Sequence, residues 1–354
     1  MSAASDLVIR ASSGSYGVTI ADGAFAALLE QRAGAYVIAD ERFATHPALD
    51  PARTIPVVAT EDQKTMGGGE RVIIALREAG AQRGDHLVAV GGGIIQDIAT
   101  LVAQLYMRGL PWSYVPTTLL GMVDSCIGGK SSINAGQFKN LVGSFHPPND
   151  VVVDPEFLTT LPAEDLAGGL AEAMKITYCR GPEAFDRHLA LARDFPETAA
   201  ELAHHALDSK RWFIEIDEFD KAERRLLNFG HTFGHALEAG TAFAVSHGIG
   251  VAIGVIAAER FAAATGVGAA DDRLREHARS LAVQAPDLVQ RLGRLEPAAF
   301  ELAFLGDKKH GADGLHVIVP LGDGAVGERV VPHEPTTLEA VHRAMQEAIA
   351  TVGA

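Results

Sequence analysis

The first third of the chain alternates short apolar runs with segments of helical period. Ala35-Tyr36-Val37-Ile38-Ala39 reads as a buried strand ending at Asp40, and Thr54-Ile55-Pro56-Val57-Val58 reads as a second. Glu70 to Ala79 repeats its apolar positions at helical spacing, with Gly80 as a stop, and His86 to Val90 makes a third strand. Strands alternating with helices predict a parallel, doubly wound sheet, an α/β Rossmann-like unit. The texture changes at Pro162. Leu166 to Tyr178, Leu189 to Phe213, Ala222 to Gly240 and Gly248 to Thr265 all carry helical patterns, so the second half is predicted to be mostly α-helical. Leu315 to Leu321 (LHVIVPL) reads as a short strand within it. The predicted division is 1–162 and 163–354.

Composition narrows the class. The chain has 354 residues, 47% of them apolar and 21% charged, which supports a buried core and argues against disorder. Its formal charge of -15 disfavours nucleic acid or an anionic membrane as a partner. Cys126 and Cys179 are far apart, so neither a disulfide scaffold nor a cysteine zinc cluster is predicted, and a reducing cytoplasm fits. The N-terminus, MSAASDLVIRASSG, lacks the basic start and apolar stretch of a signal peptide, and no apolar run reaches a membrane span of about 20 residues.

Candidate chemistry begins at Gly91-Gly92-Gly93, between the strand ending at Val90 and a helix through Asp97 to Val102. Glycines let a backbone approach a pyrophosphate, and a helix N-terminus offers free N–H groups. The spacing is not GxGxxG, and a tight βα turn without a ligand is the plain alternative. Glu61-Asp62-Gln63-Lys64-Thr65 follows the preceding strand, within reach of a ribose or phosphate. Arg108, Lys130, Lys139 and Asn140 then fall in a stretch rich in Gly, Ser and Thr, which in so acidic a chain points to a phosphate or carboxylate site rather than solvated surface. Gly129-Lys130-Ser131 is not a P-loop, because position 124 is Asp.

A second constellation lies in the helical half. His231 and His235 are four residues apart and share a helix face, which suits a divalent metal. His247 stands just before the next helix, and Glu172 lies early in an earlier one. Spacing alone nominates both His231 and His235 as ligands.

With these residues in view, the chain resembles the 3-dehydroquinate synthase family and the wider sugar phosphate cyclases from about Asp40 to Pro320. The resemblance is carried by GGGIIQDIA, RGLPWSYVPTTLLGMVDSCIGGKSSIN, KNLVGSF, DPEFLTTLP, GLAEAMK, LNFGHTFGHALE, SHG and GDKK, in that order. It implies an NAD-binding domain over 1–162 and a metal- and substrate-binding domain over 163–354. It implies that zinc, with cobalt as an alternative, is held by Glu172, His231 and His247, which moves His235 to the substrate side. It maps NAD contacts onto Asp40, Glu61, Lys64, Gly92, Gly93, Asp97, Thr117, Thr118, Lys130, Lys139, Phe157 and Thr160. It maps substrate contacts onto Arg108, Asp124, Lys130, Asn140, Lys175, Lys210, Arg224, Asn228, His235 and one lysine of the pair Lys308 and Lys309. Arg108 occupies a position that in the family reaches a neighbouring subunit's site, which implies a homodimer.

The activity implied is a cycle without net redox change: oxidation by NAD, phosphate elimination, re-reduction, and ring opening followed by aldol closure. The favoured substrate is 3-deoxy-arabino-heptulosonate 7-phosphate of the shikimate pathway, because Lys210 and Arg224 supply cations for a carboxylate. The alternatives are a sibling cyclase acting on sedoheptulose 7-phosphate, glucose 6-phosphate or an amino analogue, and an NAD-dependent polyol dehydrogenase. Two stretches depart from the family pattern. Ile94 to Thr100 stands where VIGDLAG is usual, and His247-Gly248-Ile249-Gly250-Val251 stands where HGEAV is usual. They point to a divergent subgroup.

Overall fold

Strands with no polar alternation belong inside a sheet covered on both faces. The computed structural model, which describes residues 5–12, 14–136, 138–322 and 324–353, bears this out. In chain order the first elements are β1 (Ser5–Ala11), β2 (Gly14–Ile20), α1 (Ala24–Gln31), β3 (Tyr36–Asp40), β4 (Thr54–Val57), α2 (Met66–Glu78), β5 (Leu87–Gly91), α3 (Gly93–Leu105) and β6 (Trp112–Pro116). The hairpin β7 (Lys130–Ala135) and β8 (Phe138–Phe145) follows, then β9 (Asp150–Val153). β3, β5 and β6 are buried at every position. Seven strands form one sheet in the order β1-β2-β9-β6-β5-β3-β4, parallel throughout except for the antiparallel β1–β2 edge.

The remaining elements are α4 (Ala163–Arg180), α5 (Pro182–Arg193), α6 (Ala199–Ile216), α7 (His231–Gly240), α8 (His247–Thr265), α9 (Asp272–Ala282), α10 (Leu288–Leu292), α11 (Pro297–Leu305), the hairpin β10 (Leu315–Gly322) and β11 (Ala325–Val331), and α12 (Pro335–Gly353). α8 is apolar and long enough to cross a membrane by composition, and 78% of that stretch is buried within the protein.

The structure changes two predicted helices. The segment Leu189 to Phe213 is two helices, α5 and α6, interrupted by a break that contains Phe195-Pro196. The segment Ala222 to Gly240 is a 3-10 turn, Glu223–Asn228, followed by α7. Its break falls at Gly230, whose φ of 76° and lack of room for a Cβ (Val255 Cγ2 would stand 2.7 Å away) require glycine.

The chain forms two compact units, Met1–Leu161 with Ala199–Glu218, and Pro162–Thr198 with Phe219–Ala354. α6, predicted with the helical half, instead belongs to the sheet unit. Its Lys210 ammonium stands 2.8 Å from Asp124 Oδ1 and donates to the carbonyls of Asp124 and Ile127 at 2.7 and 3.3 Å. Beyond the helix, Glu218 accepts the backbone N–H of Ser12 at 2.7 Å.

Candidate active site

In a parallel sheet, ligands bind beyond the carboxyl ends of the strands, where the strand order reverses. In the sheet unit β3 leads outward to β4, whereas β5, β6 and β9 follow on the other side, so the reversal lies between β3 and β5. Ten of the twelve residues expected to hold NAD follow or end strands of this sheet, and Lys130 and Lys139 lie on the β7–β8 hairpin. Asp40 ends β3; Glu61 and Lys64 follow β4; Gly92, Gly93 and Asp97 follow β5; Thr117 and Thr118 follow β6; Phe157 and Thr160 follow β9. α3 begins at Gly93 with no side-chain cap on its first turn, and a Cβ built on Gly93 would meet nothing within 4 Å. That open helix N-terminus fits a pyrophosphate. Asp40 is buried and held by Arg42, whose guanidinium Nη2 lies 2.7 Å from Oδ2. Phe157 is enclosed by the rings of Phe25 and Phe43, with centroids 5.4 and 5.2 Å away, so its side chain packs rather than reaches outward.

A polar network ties the edge to the β7–β8 hairpin. Lys64 Nζ donates to Asn140 Oδ1 at 2.6 Å and stands 3.1 Å from Asp97 Oδ2 and 3.8 Å from Glu61 Oε1. Asn134 donates to Glu61 Oε1 at 2.8 Å and accepts the backbone N–H of Asn140 at 2.9 Å. Asp97 accepts the Ser132 N–H at 2.9 Å. Burial pushes the Asp97 pKa up, against the pull of Lys64. Lys130 and Lys139 lie exposed on the same hairpin. Arg108 lies exposed on a turn where Met107 and Arg108 both adopt positive φ, 47° and 73°, conformations that carry strain in residues with a Cβ.

In the helical unit, glycines decide what meets what. A Cβ on Gly248 would lie 2.3 Å from Gly168 Cα, and a Cβ on Gly254 would lie 2.1 Å from the Gly230 carbonyl oxygen. Bare backbone therefore lets α8 approach α4 and the start of α7. Glu172, one turn beyond Gly168, then faces His231 at the start of α7 and His247 at the start of α8. His231 Nε2 and His247 Nε2 each stand 3.4 Å from Glu172 Oε1. The three imidazoles of His231, His235 and His247 offer nitrogens within 4.8 Å of one another.

The donor set fits a divalent metal. Glu172 is 1% exposed, and its Oε1 faces only the two imidazole nitrogens among the described residues. Lys175 Nζ stands 2.5 Å from Oε2 as an ion pair. Burial would raise the Glu172 pKa, but Lys175 and the imidazoles hold it well below the ordinary carboxylate range. His231 Nδ1 faces the Phe229 carbonyl at 3.2 Å, so Nδ1 carries the proton and Nε2 presents its lone pair. Burial holds the His231 pKa well below its ordinary range, which keeps the ring neutral. His247 Nδ1 faces Glu238 Oε1 at 2.9 Å and turns Nε2 inward likewise. Ligand atoms at about 2.0–2.1 Å from one tetrahedral ion are about 3.3–3.4 Å apart, the spacing found at Glu172.

Other expected substrate residues are divided between the two units. Arg224 is buried on the 3-10 turn, and Asn228 at its end donates to the Arg225 carbonyl at 3.0 Å. Lys309 pairs with Asp307 at 2.6 Å, while Lys308 is exposed. His235 keeps an exposed face, yet the protein packed around it pushes its pKa down, with His247 and Lys309 adding to the effect. In the sheet unit, Lys210 is neutralised by Asp124.

Comparison with known proteins bears on this arrangement. A model of the 3-dehydroquinate synthase N-terminal domain matches residues 54–168, and one of the C-terminal domain matches residues 169–310. The chain belongs to the 3-dehydroquinate synthase family. It is 36% identical over 340 residues to the 3-dehydroquinate synthase of Xanthomonas oryzae pv. oryzae (strain MAFF 311018), covering 88% of this chain and 90% of that one. The structure of 2-epi-5-epi-valiolone synthase from Streptomyces hygroscopicus subsp. jinggangensis 5008, with NAD+ and Zn2+ bound, matches with a TM-score of 0.76 at 26% identity, covering 94% and 97%. A 2-deoxy-scyllo-inosose synthase complexed with carbaglucose-6-phosphate, NAD+ and Co2+ shares the fold, with a TM-score of 0.81 at 21% identity, covering 97% and 99%.

Three residues of this family member were passed over in the sequence. Glu238 orients His247, Asn134 joins Glu61 to Asn140, and Asp307 holds Lys309. Glu238 left a signal, since it lies seven residues after His231 on the same helix face, and Asp307 stands two residues before Lys309 in GDKK. Asn134 acts across a stretch of chain that no periodicity connects.

Proposed function

We propose that this chain is a 3-dehydroquinate synthase. It converts 3-deoxy-arabino-heptulosonate 7-phosphate into 3-dehydroquinate and inorganic phosphate, in the cytoplasm and as a homodimer. The observation that carries the reading is Glu172, a buried carboxylate paired with Lys175 through one oxygen and facing two imidazoles with the other, in a chain whose family model matches extend over residues 54–310. NAD, when bound over Gly92 and Gly93, supplies transient acceptance and return of a hydride. Zinc or cobalt, when held by Glu172, His231 and His247, supplies Lewis acidity toward vicinal oxygens.

The chain's own groups do the rest. Lys130 and Asn140, and Lys175 and His235, bind the phosphate and stabilise its departure, with Arg108 supplied by a second copy. Glu238 fixes the tautomer of His247. Arg224 receives the carboxylate through its bidentate fork, helped by a lysine of the Lys308-Lys309 pair. Asp40, Glu61, Lys64, Asp97, Thr117, Thr118 and Lys139 serve the dinucleotide.

A sibling cyclase is the second reading, because Lys210, one of the cations counted toward the carboxylate, is already neutralised by Asp124. The deciding experiment incubates pure protein with NAD, zinc and each sugar phosphate and follows phosphate release. A kcat/KM higher for the heptulosonate phosphate than for sedoheptulose 7-phosphate supports the proposal, and the reverse order selects the sibling cyclase. NADH accumulating in proportion to product would make the protein a dehydrogenase.

A further inference from the structure

The loop between α11 and β10 carries Lys308 and Lys309, and two histidines with opposite protonation demands follow them, His310 in the loop and His316 on β10. His310 Nε2 lies 2.9 Å from the Phe304 carbonyl oxygen on α11, and His310 Nδ1 lies 3.0 Å from the backbone N–H of His316 on β10. A carbonyl only accepts and a backbone N–H only donates. The ring must therefore hold its proton on Nε2 and leave Nδ1 bare, which makes His310 neutral. Burial pushes its pKa down, in the same sense.

His316 has the reverse surroundings. Its Nδ1 lies 2.9 Å from Glu328 Oε1 on β11, and its Nε2 lies 3.0 Å from Asp313 Oδ1 in the loop. Two carboxylates require a proton on each nitrogen, so His316 is an imidazolium. Asp313 first, with Glu328, raises its pKa. Glu328 Oε1 also takes Arg225 Nη2 at 2.5 Å, which completes a line of alternating charge: Arg225, Glu328, His316, Asp313. The charged groups near His310 are Asp307, Lys309 and His316.

The lysine turn ahead of His310 is held locally as well. Asp307 Oδ1 accepts the Lys309 N–H at 3.1 Å, and the His310 N–H donates to the Asp307 carbonyl at 3.0 Å. Gly311 and Gly314 exchange backbone hydrogen bonds of 3.1 and 3.3 Å. The Lys309 ammonium is held by Asp307 Oδ2 at 2.6 Å, and the turn that carries both is tied to β10 through the His310 ring.

We propose that His310 and His316 are positioning residues that fix the Lys308-Lys309 turn for an anionic group of the substrate. The inference rests on the substrate-binding reading of those lysines. As pH rises through the raised pKa of His316, one N–H of the clamp is lost and the turn loosens. KM for the sugar phosphate therefore climbs on the alkaline side.

The test uses protein loaded with NAD and zinc, with 3-deoxy-arabino-heptulosonate 7-phosphate as substrate. His316→Leu should raise KM about tenfold with a smaller change in kcat, as for a misplaced binding group. Amide exchange across Asp307–Gly314 should quicken while zinc content stays at wild-type level. His316→Arg keeps donors for both carboxylates; it should return KM to within about threefold of wild type and flatten the alkaline rise. Lys308→Ala and Lys309→Ala are measured in parallel. If either lysine variant raises KM while His316→Leu changes neither KM nor exchange, the positioning role is overturned and the substrate reading stands. If both lysine variants keep the wild-type KM, the substrate reading of the turn fails and the positioning role falls with it.

Discussion

At Asp97 two effects oppose each other. Burial disfavours the carboxylate, while the Lys64 ammonium 3.1 Å away favours it. The net direction is upward, so this group binds its proton more tightly in the folded protein than in the unfolded chain. Its contribution to stability is thus fully present below the unfolded pKa and is lost as pH rises through the folded one. Lys64→Met should widen that window. Relative to wild type, thermal unfolding should show the variant losing more stability at pH 8 than at pH 5, because removing one partner strands a buried charge, at a cost of about 3–5 kcal/mol before protonation relieves it. An equal loss at both pH values would mean that Asp97 is not the group left uncompensated. A second residue-level expectation concerns Glu238, whose Oε1 stands 2.9 Å from His247 Nδ1. Glu238→Gln should weaken zinc binding about 10–100-fold, measured as a dissociation constant by competition with a chelator, as carboxylates behind metal-binding imidazoles do.

Among the elements, the crossing of α8 over α4 and α7 matters most. Its closeness depends on Gly230, Gly234, Gly248 and Gly254, where an added Cβ would strike backbone or a packed side chain. Gly254→Ala would set a methyl 2.1 Å from the Gly230 carbonyl oxygen and 2.7 Å from the Gly234 nitrogen. Backbone cannot yield as a flexible side chain does, so overpacking of about 1–3 kcal/mol is expected. Because the displaced elements carry His231 and His247, Gly254→Ala should lose bound zinc along with melting temperature. Gly266→Ala, at the C-cap of α8 with nothing within 4 Å of its Cβ, should lower the melting temperature through its φ of 71° yet retain zinc. Zinc lost equally in both would detach metal binding from the crossing.

For the whole molecule, substrate charge and subunit number each yield an expected outcome. Arg224→Ala should abolish activity on the heptulosonate phosphate far more than any activity on sedoheptulose 7-phosphate, since only the acid offers a carboxylate for the guanidinium. Equal losses in kcat/KM would assign Arg224 elsewhere. Arg108 sits exposed on its strained turn. If it serves a second copy, Arg108→Ala and Lys175→Ala proteins, each inactive alone, should regain activity when refolded together, because one site per mixed dimer is intact. No recovery would keep Arg108 within its own subunit.

The sequence by itself determined the α/β sheet, the helical second half and the identities of the chemical groups, because these depend on local periodicity and on motifs that stay contiguous. Ala35 to Asp40, the triple glycine and the HxxxH pair were readable for that reason. Tertiary structure alone decided the partners. It divided the segments from Leu189 to Phe213 and from Ala222 to Gly240, and it returned α6 to the sheet unit by way of Lys210 and Asp124. It also joined Glu172 to His231 and His247, a meeting set by how closely glycine backbones let helices cross. Such contacts span tens of residues and leave no period in the chain. Burial then fixed the charge states, since the same carboxylate or imidazole titrates differently once water is removed and a partner supplied.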